Sequence, residues 1–413
     1  MIIKRDYYLQ QLISSKSNNL IKIVTGIRRS GKSFLLFNLF HNHLIETGIS
    51  EDHIIEIALD DRLNKNLRDP DVILQHIHER IVDDKLYYII LDEVQMIDEF
   101  TDVLNSLLHI RNADVYVTGS NSKFLSKDVV TEFRGRGDEI HLFPLSFAEL
   151  YNSIGGDKFE LWKSYYTYGG LPGILELDSE KKKAAYLRSL HETVYLKDII
   201  ERNNLKNSEE FMELMRVMAS CIGSPCNPSK LENTFKSVKN ETLARKTISK
   251  YLSYMEDAFL IEKSMRYDIK GRKYIGTLSK YYFQDIGLRN ALLNFRQVEE
   301  NHIMENVIYN ELRLRGFCVD VGMVEARTAK ERKQLEVDFV ANMADRRYYI
   351  QSAFAMPDDA KREQECASLK RIDDSFKKII IMRDDIKPYH DNNGFYIVGL
   401  MDFLLKPDLM EQL

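Results

Sequence analysis

The chain has 413 residues, 44% of them apolar, and 58 Lys and Arg against 63 Asp and Glu, for a formal net charge of −5. That length and apolar share fill two or three cored domains, while the mildly negative balance excludes a global polycationic pull on nucleic acid, so any such binding needs a local patch. No apolar run approaches the roughly 20 residues needed to span a bilayer, residues 1–6 lack an apolar signal core, and Cys221, Cys226, Cys318 and Cys366 are scattered. The expectation is a cytoplasmic protein with reduced cysteines and no membrane partner.

In chain order, residues from about 5 to 16 read as a leading helix, and β-like runs follow near 20–25, 54–60, 87–92, 114–120 and 138–143. Helical patterns between the first four predict a parallel sheet covered on both faces, which binds ligands beyond the carboxyl ends of its strands. Directly after the first run stands Gly26-Ile27-Arg28-Arg29-Ser30-Gly31-Lys32-Ser33, which satisfies G-x-x-x-x-G-K-[ST]. Two glycines let such a loop turn around phosphates with its N–H groups inward, and a helix opening near Gly31 adds its positive end. Lys32 is then expected to reach the β/γ-phosphates and the Ser33 hydroxyl to join a Mg²⁺ shell.

Tyr87-Tyr88-Ile89-Ile90-Leu91-Asp92-Glu93 is an apolar run ending in two carboxylates, as expected of a buried parallel strand that delivers acids to a sheet edge. Asp92 is assigned to the Mg²⁺ shell and Glu93 to the attacking water. Val115-Tyr116-Val117-Thr118-Gly119-Ser120-Asn121 ends in polar groups, of which Asn121 or Ser120 is the candidate contact to the γ-phosphate; an ordinary turn or helix cap is the alternative.

The order of phosphate loop, Asp-Glu strand and Thr-Gly-Ser-Asn strand resembles an AAA-type ATPase of the additional-strand catalytic Glu class. Phe133-Arg134-Gly135-Arg136, Phe143-Pro144-Leu145-Ser146-Phe147 and Tyr168-Gly169-Gly170-Leu171-Pro172 are similar, more narrowly, to a large prokaryotic family that joins this ATPase to a C-terminal domain of uncertain function. The resemblance implies ATP with Mg²⁺ as cofactors, guanine being a minor alternative. It also implies a homo-oligomer in which Arg134 or Arg136 acts as a finger on a neighbour's γ-phosphate; an exposed basic turn is the other reading.

Beyond the ATPase domain, expected over 1–145, residues 146–206 read as a helical lid or linker and 207–295 as a winged-helix module. In that module Arg245, Lys246 and Lys250 on a second helix, and Lys270, Arg272 and Lys273 at a hairpin tip, are candidate DNA contacts; a purely protein-binding module is the alternative. Over 296–413, a helix near 303–315, strands near 317–323, 335–341 and 347–353, a helix near 358–371 and a strand near 377–382 resemble a restriction-endonuclease-like core. Glu305 and Asp338 match its first acidic positions, yet Gln351-Ser352-Ala353 stands where an acid, any residue and a lysine are required. Metal catalysis needs that charge, so a degenerate, non-cutting site is expected, with Arg362 as the candidate partner of Asp338. The fold class is thus an α/β P-loop NTPase sheet of AAA type followed by winged-helix and endonuclease-like modules. The function expected is ATP hydrolysis coupled to DNA or a protein client, with a slowly hydrolysing, ATP-gated scaffold as the alternative.

Overall fold

Four of the five parallel strands of the N-terminal region are buried along nearly their whole length, because helices cover both faces of the sheet, whereas the edge strand Gly137–His141 is largely accessible. The computed structural model describes residues 3–119, 135–239, 243–327 and 332–412. They divide into two compact units, one comprising Met1–Leu145 with Leu171–Glu176 and Asp257–Phe259, the other the remainder.

In the first unit, β1 (Ile21–Thr25), β2 (Ile54–Ala58), β3 (Tyr87–Asp92), β4 (Ala113–Thr118) and β5 (Gly137–His141) lie in the order β2-β3-β4-β1-β5, all parallel. Successive side chains of a strand point to opposite faces. Thus Tyr87, Ile89 and Leu91 pack with Val103, Leu104 and Leu107 of the helix Phe100–Leu107. Tyr88 and Ile90 instead meet Leu35, Leu36, Phe40 and the leading helix's Tyr8 and Leu12. Both parities must be apolar, which explains the unbroken hydrophobic run before Asp92.

The second unit is built on a mixed sheet of eight strands among the described residues. They are β6 (Ile261–Asp268), β7 (Lys273–Phe283), β8 (Cys318–Arg327), β9 (Arg332–Met343), β10 (Arg346–Ala353), β11 (Lys377–Met382), β12 (Tyr389–His390) and β13 (Tyr396–Gly399). The helix Glu300–Leu314 covers one face through Ile303, Val307 and Ile308, packed with Phe339, Ile350 and Ile379, whereas Val337, Tyr349 and Ile380 pack with Leu369 and Ile372 on the other.

The sheet runs across the boundary expected at 295/296. The hairpin of β6 and β7 joins it through parallel pairing of β6 with β8. Asn306 on the helix Glu300–Leu314 accepts from the Phe283 N–H and donates to the Phe283 carbonyl, both at 2.7 Å, and so fastens the end of β7. A hairpin alone buries too little to hold its register, and this sheet supplies the missing partner surface.

Two of the sequence motifs have local structural reasons. In Phe143-Pro144-Leu145-Ser146-Phe147, Ser146 caps the helix Phe147–Ile154 in a reciprocal capping box with Glu149. In Tyr168-Gly169-Gly170, Gly169 adopts φ +77°, and a Cβ there would stand 2.5 Å from the Asp285 carboxylate. That carboxylate accepts from the Gly170 N–H at 2.8 Å and caps the helix Ile286–Leu292 at Leu288.

Candidate functional site

The loop after β1 turns on three left-handed residues, Gly26 (φ +139°), Arg29 (φ +65°) and Gly31 (φ +98°). At Gly26 a side chain is impossible, since a Cβ would lie 2.2 Å from the Leu142 carbonyl oxygen. Helix begins at Lys32 and runs on through a π-turn over Leu35–Phe40 into His41–Glu46. The Lys32 ammonium is buried and donates to the carbonyls of Gly26 at 2.9 Å and Ile27 at 3.2 Å, so it lies inside the loop's curve. Arg28 and Arg29 reach the surface, whereas Ser30 is fully buried, and its carbonyl accepts from Arg5 at 3.3 Å. Arg5 also donates to the Phe143 carbonyl at 2.8 Å, tying the residues before the leading helix to the loop and to the end of β5.

Because β4 lies between β1 and β3, its last residue stands beside both the loop strand and the acid strand. Thr118 donates its hydroxyl proton to the Asp92 carboxylate and accepts from the Glu93 backbone N–H at 2.9 Å. Ser33 also hydrogen-bonds that carboxylate. Burial pushes the Asp92 carboxyl above its ordinary range, the Thr118 and Ser33 bonds oppose this, and Glu93 and Asp60 add to the rise. Glu93 itself leaves the strand at φ +53° and accepts from the Gln95 side chain. The left-handed turn carries its carboxylate out of the strand's alternation, as strained residues at working sites do.

A cavity of about 280 Å³ opens beside Ser30 and Gly31, walled by Ile3, Phe34, Leu145, Pro172 and Leu175, with Arg5 at its polar side. A small, mostly apolar hollow with few polar groups suits a planar base. The loop, the paired Ser33 and Asp92 and this hollow together fit a nucleoside triphosphate with Mg²⁺. Thr118, Arg5 and the cavity walls escaped the sequence reading. Only the hydroxyl at the end of the fourth strand was visible there, without its neighbours.

Ser120, Asn121 and Arg134 lie outside the described residues. Arg136 is exposed, and its carbonyl accepts from the Ile21 N–H at 2.9 Å. It thus flanks the start of β1, with the phosphate loop leaving the other end about 13 Å away at roughly 3.3 Å per residue, and does not serve its own chain's loop.

In the second unit, Arg245, Lys246 and Lys250 lie on the exposed face of the helix Arg245–Asp257, whose Ile248, Tyr251, Leu252 and Met255 are buried. Arg245 is committed to Glu232 at 2.5 Å. Lys270, Arg272 and Lys273 are exposed at the hairpin tip, with Lys270 3.8 Å from Asp373.

Glu305 and Asp338 are brought together, but with a lysine that the sequence reading missed. Between β8 and β9 the register passes from Gly322 opposite Val337 to Asp320 opposite Val340, one extra residue on β9. This bulge breaks the alternation of β9 where Asp338 stands, and its carboxylate accepts from the Ser352 N–H at 2.8 Å. Lys280 of β7, buried, stands 2.8 Å from Glu305, 2.8 Å from Glu336 and 3.8 Å from Asp338. Tyr282 donates to Glu305 at 2.8 Å. Burial alone would lower the Lys280 pKa, but the three carboxylates outweigh it and hold the ammonium charged; burial raises Asp338, with Glu305 adding to it. The expected partner of Asp338 is therefore corrected from Arg362 to Lys280, since Arg362 bonds the Tyr389 hydroxyl. Ala353 is buried in the core, and the Gln351 side-chain oxygen is buried without a hydrogen bond among the described residues.

The sheet order and the loop define an α/β P-loop NTPase fold of the AAA class. Residues 18–151 match the family model described as AAA domain, and residues 159–299 match a domain of unknown function (DUF8612). An uncharacterized protein of Haemophilus influenzae is 33% identical over 98% of this chain and 99% of its own length, and the chain belongs to the same protein family. Uncharacterized protein MJ1544 of Methanocaldococcus jannaschii is 29% identical over 90% of this chain and 82% of its own. Among solved structures, the Aeropyrum pernix ORC1 protein in complex with DNA is 13% identical, covering 71% of this chain and 92% of that one at a TM-score of 0.30, too low to carry an argument.

Proposed function

We propose that this protein binds ATP with Mg²⁺ and hydrolyses it, the reading supported above all by Thr118 joining Asp92 and Glu93 at the strand ends beside the phosphate loop. Bound Mg²⁺ supplies charge neutralisation on the phosphate oxygens. The N–H groups of residues 26–33 and the Lys32 ammonium would hold the β/γ-phosphates, the Ser33 hydroxyl would join the metal's shell, and Asp92 would hold that shell through water. Glu93 orients or deprotonates the attacking water. The base enters the hollow between Phe34, Leu145 and Pro172. Asn121 senses the γ-phosphate, and Arg134 or Arg136 completes the site of a neighbouring copy in a homo-oligomer.

In this reading the helix Arg245–Asp257 with its hairpin acts as a winged-helix-type module that meets DNA or a protein client. The body over 296–413 is a nuclease-like core that does not cut, because Gln351 and Ala353 stand where the pattern needs an acid and a lysine. The test is steady-state ATP hydrolysis as a function of the protein's own concentration. Specific activity should rise with concentration, Lys32→Ala should lose nucleotide affinity, and Glu93→Gln should keep affinity and lose turnover. Parent-level turnover by Glu93→Gln removes Glu93 from its role, and Mg²⁺-dependent cutting of DNA that Asp338→Ala abolishes overturns the non-cutting reading.

A further inference from the structure

A second hollow, of about 530 Å³, lies within the second unit between the helix Lys158–Tyr168, the helix Glu180–Leu190 and the turn after Ile286–Leu292. Lys163, Lys181 and Arg188 line it, all exposed, and none of them makes an ion pair with a described residue. Glu180 is the single carboxylate of the lining, so the hollow carries an excess of two positive charges in a chain whose net charge is −5. Tyr166, Tyr168 and Phe295 supply aromatic surface to the same lining, all three only half-buried.

The frame is held in place. Asn290, fully buried, donates its side-chain N–H groups to the carbonyls of Tyr166 and Thr167, each at 2.9 Å, and so fixes the end of the helix that carries both tyrosines. Asn294 and Phe295 both stand in the left-handed region, φ +52° and +58°, and this turn sets the Phe295 ring 5.9 Å from that of Tyr168.

We propose that this hollow binds single-stranded nucleic acid, with phosphodiesters on Lys163, Lys181 and Arg188 and a base against the Tyr168 and Phe295 rings. Cations that track a backbone beside rings that accept any base are the recognition chemistry of single strands. An acidic peptide would satisfy the cations and leave the rings unused, and a duplex keeps its bases stacked inside and offers none to a hollow of this size. The inference does not depend on the ATPase reading, because every residue it uses lies in the second unit.

The test is fluorescence anisotropy of the full chain with a labelled oligothymidylate of about 30 nucleotides across a salt series. Binding is expected with log K falling linearly in log salt, at a slope near −2 for three phosphate contacts on a single strand. Lys163→Glu with Lys181→Glu and Arg188→Glu should lower affinity at least tenfold and flatten that slope. Phe295→Gly, which suits φ +58° and so spares the fold, should weaken binding about tenfold through lost stacking alone. Lys377→Glu with Lys387→Glu, both exposed and outside this lining, should leave binding unchanged. The proposal is overturned if the parent does not bind the oligonucleotide, if the triple variant binds like the parent, if Lys377→Glu with Lys387→Glu lowers affinity as much, or if polyglutamate competes equally well.

Discussion

The Thr118 hydroxyl donates to the Asp92 carboxylate while accepting the Glu93 backbone N–H, so one side chain of β4 sets both acids at the end of β3. Replacing Thr118 with Val keeps the shape and removes both bonds. The expected outcome is an ATP turnover about tenfold to a hundredfold lower, with nucleotide affinity changed much less, since misplacement of a reacting group is felt mainly in the chemical step. Thr118→Ser should recover most of it. Single-turnover hydrolysis beside equilibrium binding of a fluorescent nucleotide checks the split.

Gly169 and Gly155 separate two costs of adding a methyl group. Both have positive φ, +77° and +71°, but a Cβ on Gly155 meets nothing within 4 Å, whereas one on Gly169 stands 2.5 Å from Asp285 and 2.6 Å from the Gly287 nitrogen. Gly155→Ala should cost about 1–3 kcal/mol, the backbone penalty alone, since φ +71° with ψ −158° is a conformation found almost only in glycine. Gly169→Ala should cost several kcal/mol, on the order of a strained core substitution. Urea unfolding of the two variants decides it.

Removing the Lys280 ammonium leaves Glu305, Glu336 and Asp338 facing one another. Lys280→Met should destabilise the protein by about 3–5 kcal/mol at pH 7.5, the cost of a buried charge stripped of its partner. Burial already raises the Asp338 carboxyl and Lys280 opposes that rise, so without the lysine the folded form gains further by binding a proton there. The gap to the parent should therefore narrow as pH falls toward 5, which thermal unfolding at both pH values would show.

His191 sits in the π-turn His191–Leu196, 95% buried, with its Nε2 unpartnered among the described residues. Burial, aided by Arg216, lowers its pKa to about 4, against 6.5 in the unfolded chain. Between those values the unfolded state binds the proton and the folded state does not, so stability is complete above pH 6.5 and falls toward pH 4. The loss is on the order of 3 kcal/mol at about 1.4 kcal/mol per pKa unit. In urea titrations at pH 7 and pH 5, His191→Gln should show a smaller fall than the parent.

The motifs that needed only neighbours in sequence were legible. A glycine-bounded loop after an apolar run, and two acids after another, are local patterns whose geometry follows from turn chemistry and strand alternation, and both meet at the carboxyl ends of one parallel sheet. The hairpin of β6 and β7 was legible as a hairpin too. That it belongs to the same sheet as β8 was not, because the bonds that join it come from Asn306 and from β8, across a long stretch of chain.

By itself, then, the sequence determined the phosphate loop, the acid-bearing strand and the alternation of strands and helices around them, since backbone torsion and burial periodicity act over a few residues. The tertiary structure decided which strand stands between β1 and β3, and hence that Thr118 joins Asp92 to Glu93. It also decided that Lys280, rather than a residue near Ala353 or Arg362, meets Asp338. Both follow from strand order and one bulge, which depend on how whole faces pack and leave no trace in local spacing.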